Sequence, residues 1–209
     1  MTRLCSRRTL FAMAGAAALS AAPTAKAADS KAPKRTWPEM PQIPTDFDAE
    51  RCFVELEDAG DGIVFEGPKP GPVVRIAFDT QCPWCVWQFD QFKPFLKEAT
   101  FIWHPVAVLS PWSELQGAAI LAAKDRKAKF LEHEAHYHDA EFKGLDVRKM
   151  EIPFEMRQKV WDYSKAFRRA CGIAVPMGVM KTVDGRYVPV PQMTTGEFAR
   201  LSGLKPGKA

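Results

Sequence analysis

A Cys-Pro-Trp-Cys segment, residues 82–85, lies between an apolar run that predicts a buried strand (73–78) and an amphipathic run that predicts a helix. This junction places Cys82 at the helix N-terminus, where unpaired backbone N–H groups and the helix macrodipole stabilise a negative charge. Thiols in such positions have pKa values of ~3.5 to ~7.5 instead of about 8.5. The spacing brings Cys85 one helical turn back toward Cys82. The segment therefore predicts a redox-active dithiol.

Two other interpretations of this cysteine pair are weaker. A structural zinc site needs a second pair of Cys or His ligands at metal spacing, and the sequence contains no second Cys-x-x-Cys. A purely structural short-loop disulfide is possible, but the strand-to-helix context favours redox chemistry. We expect no metal at this site and no cofactor other than the Cys82–Cys85 disulfide itself.

The first 27 residues are typical of a cleaved export signal. Arg3, Arg7 and Arg8 form a basic region, and an apolar, alanine-rich segment too short to span a bilayer follows. Residues 25–27 fit the small-x-small cleavage pattern, so we expect cleavage after Ala27. The pair Arg7-Arg8 resembles a twin-arginine signal, although paired arginines also occur in ordinary secretory signals. The mature protein is expected in an oxidising compartment outside the cytoplasm.

Removing this signal changes the charge of the chain. The sequence has 29 basic and 25 acidic residues, and four of the basic residues lie in the signal. The mature chain is therefore formally neutral, which gives no electrostatic support for nucleic-acid binding. Residues 28–45 are rich in proline, lysine and alanine and predict an extended tether. Residues 46–209 are long enough for one domain with a full core.

Local patterns in this domain predict strand–helix–strand, a helical block, and then a hairpin and a last helix. Ser110-Pro111 is typical of a helix start, and residues 194–197 form a capping box. The order predicts an α/β, thioredoxin-like fold with a helical insertion between its two halves. The expected elements are helix 48–59, strands 63–66 and 73–78, helix 82–97 shortened or kinked by Pro94, strand 101–109, helices 115–123, 128–137 and 154–171, strands 179–183 and 186–190, and a C-terminal helix.

Residues 48–203 resemble the bacterial periplasmic thiol:disulfide interchange proteins of the DsbC/DsbG type. The resemblance depends on Phe78-Asp79-x-x-Cys82-Pro83-Trp84-Cys85, Pro94, the stretch ending at Ala122-Ala123-Lys124-Asp125, and Val175-Pro176. It implies a periplasmic disulfide reductase or isomerase that acts on exported proteins and is kept reduced by a membrane thiol donor of the DsbD kind.

The resemblance also implies residue roles. Cys82 is the expected nucleophile and Cys85 the buried resolving thiol, with a cis peptide bond before Pro176 facing the disulfide. Val175 would then pair through its backbone with an extended substrate segment. Pro83 and Trp84 complete the expected substrate-binding set, in which Cys82 is expected to be accessible.

The chain also departs from that family. DsbC and DsbG carry an N-terminal dimerisation domain, whereas only the proline-rich tether precedes the first helix here, so we expect a monomer. Val175 resembles the DsbA oxidases, and the Pro-Trp dipeptide is closest to DsbG. Two alternatives stay open: a DsbA-like thiol oxidase, and a metallochaperone that holds copper(I) between Cys82 and Cys85, since thiolates suit that ion.

Two further sets of residues are candidates for special roles. Cys52 and Cys171 are the remaining pair of the mature chain, and parity alone leaves open whether they form a structural disulfide. His133, His136 and His138 lie close together in sequence. The first two could share a helix face and hold a metal weakly, but a solvated helix end is the favoured interpretation.

Overall fold

The computed structural model describes residues 43–172 and 174–207, so the export signal (1–27) and most of the tether (28–45) lie outside the described residues. A short 3-10 turn, Lys93–Phe95, follows α2, and a π-helical turn, Phe167–Cys171, follows α5. In chain order the elements are α1 Ala49–Asp58, β1 Ile63–Phe65, β2 Val73–Phe78, α2 Pro83–Phe92, β3 Thr100–Pro105, α3 Pro111–Ala122, α4 Arg126–Ala135, α5 Phe154–Ala166, β4 Met177–Lys181, β5 Tyr187–Val190 and α6 Thr195–Ser202.

The five strands form one mixed sheet in the order β1-β3-β2-β4-β5. β2 and β3 are parallel and joined by α2, whereas β1, β4 and β5 pair antiparallel with their neighbours. Because β2 and β3 run in the same direction, their C-terminal ends meet at one edge of the sheet. This edge carries the start of α2 and the loop after β3.

An aromatic core covers one face of the sheet. Phe89 of α2 packs edge-to-face on Phe130 of α4, with ring centroids 4.9 Å apart, and both rings contact Trp103 of β3. Phe198 of α6 packs on Phe92 in the same layer. Helices α1 and α5 cover the opposite face. The active-site helix α2 is thus held on a rigid base that spans the sheet.

Prolines set the end of one helix and the start of another, as the sequence predicts. Pro94 lacks the N–H that an α-helix would need at this point, and α2 ends at Phe92 in a single 3-10 turn. Pro111 occupies the first turn of α3, and the hydroxyl of Ser110 accepts a hydrogen bond from the N–H of Trp112.

The expected strand 101–109 is too long. β3 ends at Pro105, because the next residues leave the sheet and donate the N–H groups of Val108 and Leu109 to the carboxylate of Asp79. The first strand of the hairpin, expected at residues 179–183, begins earlier, at Met177 directly after Pro176. The expected helix 154–171 is regular to Ala166 and then widens into the π-helical turn.

The predicted helical insertion lies between β3 and β4 and contains α3, α4 and α5. α4 reaches back over the sheet to β1 and presents His133 to the loop before α2, and the turn after α4 presents Tyr137 to the same loop. Within the described ranges, no helix has the length and apolar character needed to span a bilayer.

Candidate active site

Cys82 is the N-cap residue of α2. Its backbone is extended (φ −89°, ψ 115°), its N–H donates to the carbonyl of Asp79 at 3.0 Å, and Pro83 begins the helix. The carbonyl of Cys82 accepts from the N–H of Cys85 at 3.0 Å, which closes the first turn. The sequence therefore places the sulfur of Cys82 beside the first N–H groups of a helix.

The two thiols have opposite acidities. The pKa of Cys82 is lowered, chiefly by a hydrogen bond from the Cys85 thiol and further by the backbone N–H groups of Cys85 and Trp84, against burial and the charge of Asp79. The pKa of Cys85 is raised well above its ordinary value, first by burial and then by its hydrogen bond to Cys82. Hydrogen bonds stabilise a thiolate and burial opposes it, so the negative charge resides on Cys82.

Cys82 is less accessible than expected. Only 4% of its surface is exposed, against 2% for Cys85. The cover comes from the segment before β4, where the carbonyl oxygen of Val175 lies 3.5 Å from the Cys82 sulfur and accepts a hydrogen bond from it when the thiol is protonated. The peptide bond between Val175 and Pro176 is cis. The structure thus brings together the two segments that the sequence places 93 residues apart.

Aromatic side chains lie beside the dithiol. Trp84 is half-buried and packs edge-to-face on Trp87 of the next helical turn, with centroids 5.6 Å apart, while Pro83 is exposed. On the same helix, the side-chain amide of Gln88 exchanges two hydrogen bonds with the backbone of Met193, at 2.9 and 2.7 Å. This pairing fixes the loop before α6 against the active-site helix.

Asp79 organises the loop that leads into α2, a role that the sequence interpretation missed. Its side chain is fully buried and accepts four hydrogen bonds, from the N–H groups of Gln81, Val108 and Leu109 and from the hydroxyl of Ser113. A charged residue at the end of an otherwise apolar strand was the available signal, because a buried carboxylate must be hydrogen-bonded.

The insertion supports the same loop through its polar side chains. The buried ring of His133 bonds the carbonyl of Thr80 at 3.0 Å, and the hydroxyl of Tyr137 donates to the carbonyl of Gln81 at 3.0 Å. The side-chain amide of Gln81 donates to Gln116 of α3 at 2.7 Å. These bonds satisfy the backbone before Cys82 and leave the helix N–H groups directed at its sulfur.

The histidine interpretation needs a correction. His133 is not at a solvated helix end: it is fully buried, and its two ring nitrogens bond Thr80 and the N–H of Leu145. The reason is that the loop around residue 144 covers the end of α4. His136 is exposed and pairs with Asp139, and His138 is also exposed. With both of its nitrogens occupied, His133 is not free to share a metal with His136.

Cys52 and Cys171 are joined in a disulfide, with their Cα atoms 5.2 Å apart and both residues fully buried. The bond connects α1 to the π-helical turn after α5, four residues before Val175. The bond lies on the face of the sheet opposite α2 and is separate from the Cys82–Cys85 pair.

These features define the class of the protein. A dithiol at the start of the helix after a central strand, faced by a cis-proline and followed by a β-hairpin and a last helix, is the arrangement of a thioredoxin-like fold. Here that fold carries a helical insertion between its two halves.

Comparison with solved structures shows the same fold. The catalytic domain of Proteus mirabilis ScsC superposes with a TM-score of 0.57 at 14% identity, covering 76% of this chain and 97% of that one. A periplasmic thioredoxin-like protein from Salmonella enterica serovar Typhimurium gives 0.50 at 13% identity, over 66% and 86% of the two chains. A thioredoxin-like oxidoreductase from Silicibacter pomeroyi gives 0.50 at 16% identity, over 70% and 92%.

No family model matches the chain, and no curated protein matches it significantly. At these identities the structural likeness establishes the thioredoxin-like fold. The finer resemblance to the DsbC/DsbG type stays a prediction.

Proposed function

We propose that this protein is an exported thiol-disulfide oxidoreductase that reduces or isomerises disulfides in other exported proteins through Cys82 and Cys85. The observation that carries the proposal is the geometry of the dithiol: Cys82 is the N-cap of α2, and its sulfur lies 3.5 Å from the carbonyl oxygen of Val175, the residue before the cis-proline. The periplasmic description of one structural neighbour and the export signal expected at residues 1–27 support a periplasmic location.

The reaction uses the two thiols in sequence. The Cys82 thiolate attacks one sulfur of a substrate disulfide, forms a mixed disulfide and expels the other substrate sulfur as a thiolate, which takes a proton from water. Cys85 then loses its proton and attacks the Cys82 sulfur, which breaks the mixed disulfide and releases the second substrate thiol. Two electrons pass to the substrate, and the Cys82–Cys85 disulfide remains. A membrane thiol donor of the DsbD kind would return two electrons to it.

Substrate would bind over the covered thiol. Val175 lies against the Cys82 sulfur, so an extended substrate segment must displace this contact or pair with the backbone beside it. Pro83 and Trp84 offer an exposed ring and a half-buried ring on the other side of the thiol, and Pro176 shapes the loop. We propose these four residues as the substrate surface.

Trapping tests the roles of the two thiols. In Cys85→Ala the resolving step is lost, so mixed disulfides with exported proteins should accumulate and disappear on treatment with reductant. Cys82→Ala should form none. The reverse pattern would overturn the assignment of the nucleophile.

A DsbA-like oxidase is the second candidate, and the lowered pKa of Cys82 favours it. A stabilised thiolate is a good leaving group and stabilises the reduced form, which makes the disulfide more oxidising. Thiol trapping in cells measures whether the Cys82–Cys85 pair is reduced or oxidised, and so distinguishes a reductase or isomerase from an oxidase. A mostly reduced Cys82–Cys85 pair supports the reductase or isomerase, and a mostly oxidised pair supports the oxidase.

We further propose that the protein acts as a monomer and is therefore poor at reshuffling scrambled disulfides. Light scattering after gel filtration, combined with refolding of a scrambled substrate, tests this. A stable dimer with strong reshuffling activity would contradict it.

A further inference from the structure

Asp79 is coupled to the dithiol through its backbone. Its carbonyl accepts from the N–H of Cys82 at 3.0 Å, and its own N–H donates toward the sulfur of Cys85 at 3.4 Å. Asp79 is thus hydrogen-bonded through its backbone to both cysteines, and its buried carboxylate belongs to the same turn.

The carboxylate is enclosed by hydrogen-bond donors. Its four donors are three backbone N–H groups and the hydroxyl of Ser113, the shortest contact at 2.6 Å. Four donors turned toward one carboxylate are the arrangement that a buried negative charge requires. Asp79 lies in the same turn as the pair that exchanges electrons, and its charge acts on both thiols.

That charge acts on both thiols in the same direction. Asp79 raises the pKa of Cys82 and the pKa of Cys85, and so opposes the hydrogen bonds that favour the Cys82 thiolate. Charges interact more strongly in a buried site than in water. The position of Asp79 thus bears on the reduction potential of the Cys82–Cys85 pair as well as on the geometry of the loop.

We propose that Asp79 is a positioning residue whose buried negative charge lowers the reduction potential of the Cys82–Cys85 pair. When the disulfide accepts two electrons, the bond between the sulfurs breaks, Cys82 becomes a thiolate and Cys85 takes a proton. Reduction thus creates a negative charge beside the one already held at Asp79. The disulfide form carries no such charge, so the carboxylate favours it and makes the reduced pair a stronger reductant.

This inference rests on the proposed function in that it describes the same dithiol, but its test does not need a substrate protein. Equilibration of the purified protein with reduced and oxidised glutathione gives the reduction potential. The ultraviolet absorbance of the thiolate, followed against pH, gives the pKa of Cys82.

Asp79→Asn removes the charge and keeps the size of the side chain. We expect a lower Cys82 pKa and an equilibrium constant with glutathione shifted about tenfold toward the reduced form, equivalent to a potential about 30 mV less negative. A folded variant with an unchanged or more negative potential would overturn the proposal. Asp90→Asn is the matched control, because it removes a charge from α2 where Asp90 pairs with Lys93. Its potential should equal that of the wild type.

Ser113→Ala gives a test of opposite sign. It keeps the carboxylate but removes its shortest donor, so the charge is less neutralised and the potential should become more negative. A purely structural role would move both variants in the same direction. If Asp79→Asn does not fold, Ser113→Ala decides alone, and an unchanged or less negative potential in that variant would refute the proposal. Failure of the wild type to form the Cys82–Cys85 disulfide in glutathione would instead refute the proposed function.

Discussion

The buried ring of His133 donates a hydrogen bond from Nε2 to the carbonyl oxygen of Thr80, 3.0 Å away. The tautomer follows from the other nitrogen, because Nδ1 faces the backbone N–H of Leu145 at 3.2 Å and must accept from it. Burial lowers the pKa of His133 to about 4, so the ring is neutral at physiological pH. A neutral histidine on the insertion therefore fixes the loop before the dithiol.

His133→Ala should destabilise the protein. The change opens a cavity and leaves the Thr80 carbonyl and the Leu145 N–H without their partner, so we expect a loss of about 2–4 kcal/mol in the free energy of unfolding. Urea denaturation measures it. His136→Ala is the matched control on the exposed helix end, with an expected change below about 0.5 kcal/mol. Equal effects of the two variants would contradict the anchoring role of His133.

Gly144→Ala should disturb the same contact from the other side. Gly144 has a positive φ of 75°, and an added Cβ would lie 2.2 Å from Cε1 of His133. Backbone strain and the displaced ring should together lower the melting temperature and raise the pKa of His133, which nuclear magnetic resonance can follow. Gly185→Ala is the control for strain alone, because its positive φ faces open space. A Gly144→Ala variant no less stable than Gly185→Ala would count against the contact.

Glu134 should make stability fall as pH rises. Burial, with a smaller contribution from Asp90, raises the pKa of Glu134 from 4.5 to about 8, and its Oε2 atom has no hydrogen-bond partner. Between these pH values the folded protein keeps a proton that the unfolded chain releases. This contribution to stability is complete below pH 4.5 and is lost as pH rises toward 8.

Glu134→Gln tests this pH dependence. The amide cannot ionise, so the free energy of unfolding should fall less between pH 5 and pH 8 (about the window between the two pKa values), and the variant should be more stable than the wild type at the upper end. Glu132→Gln, on the exposed side of the same helix and paired with Lys129, should keep the wild-type slope. An unchanged slope in Glu134→Gln would show that another group titrates.

Removal of the Cys52–Cys171 bond should cost about 2–5 kcal/mol of stability, since it closes a loop between residues 119 apart in sequence. The variant for this test is Cys52→Ala/Cys171→Ala, measured by urea denaturation. Because the stabilised thiolate of Cys82 is a good leaving group, mild reductant should open the Cys82–Cys85 disulfide of the wild type and leave the Cys52–Cys171 bond intact. Simultaneous reduction of both bonds in the native state would contradict their different environments.

Much of the fold could be predicted because its signals are local. The capping box at Thr194, the proline after Ser110 and the junction before Cys82 each depend on residues a few positions apart. The contacts that complete the site are not local. Asp79 meets Ser113 across 34 residues, and Cys82 meets Val175 across 93.

Burial was the property that local patterns described least well. Three histidines close together near a helix end predict polar surface. His133 is nevertheless fully buried, because a loop from farther along the chain covers it. Cys82 likewise reads as an exposed helix start and is covered by a segment from the other half of the fold. Local patterns located the candidate dithiol, whereas its surroundings depend on tertiary packing.

The Cys52–Cys171 disulfide has a consequence for how this protein is made and used. In the structure Cys52 and Cys171 are oxidised, whereas the proposed reaction of Cys82 and Cys85 consumes electrons. Under the proposed function, the same molecule would need an oxidant once, to mature, and a reductant at every turnover.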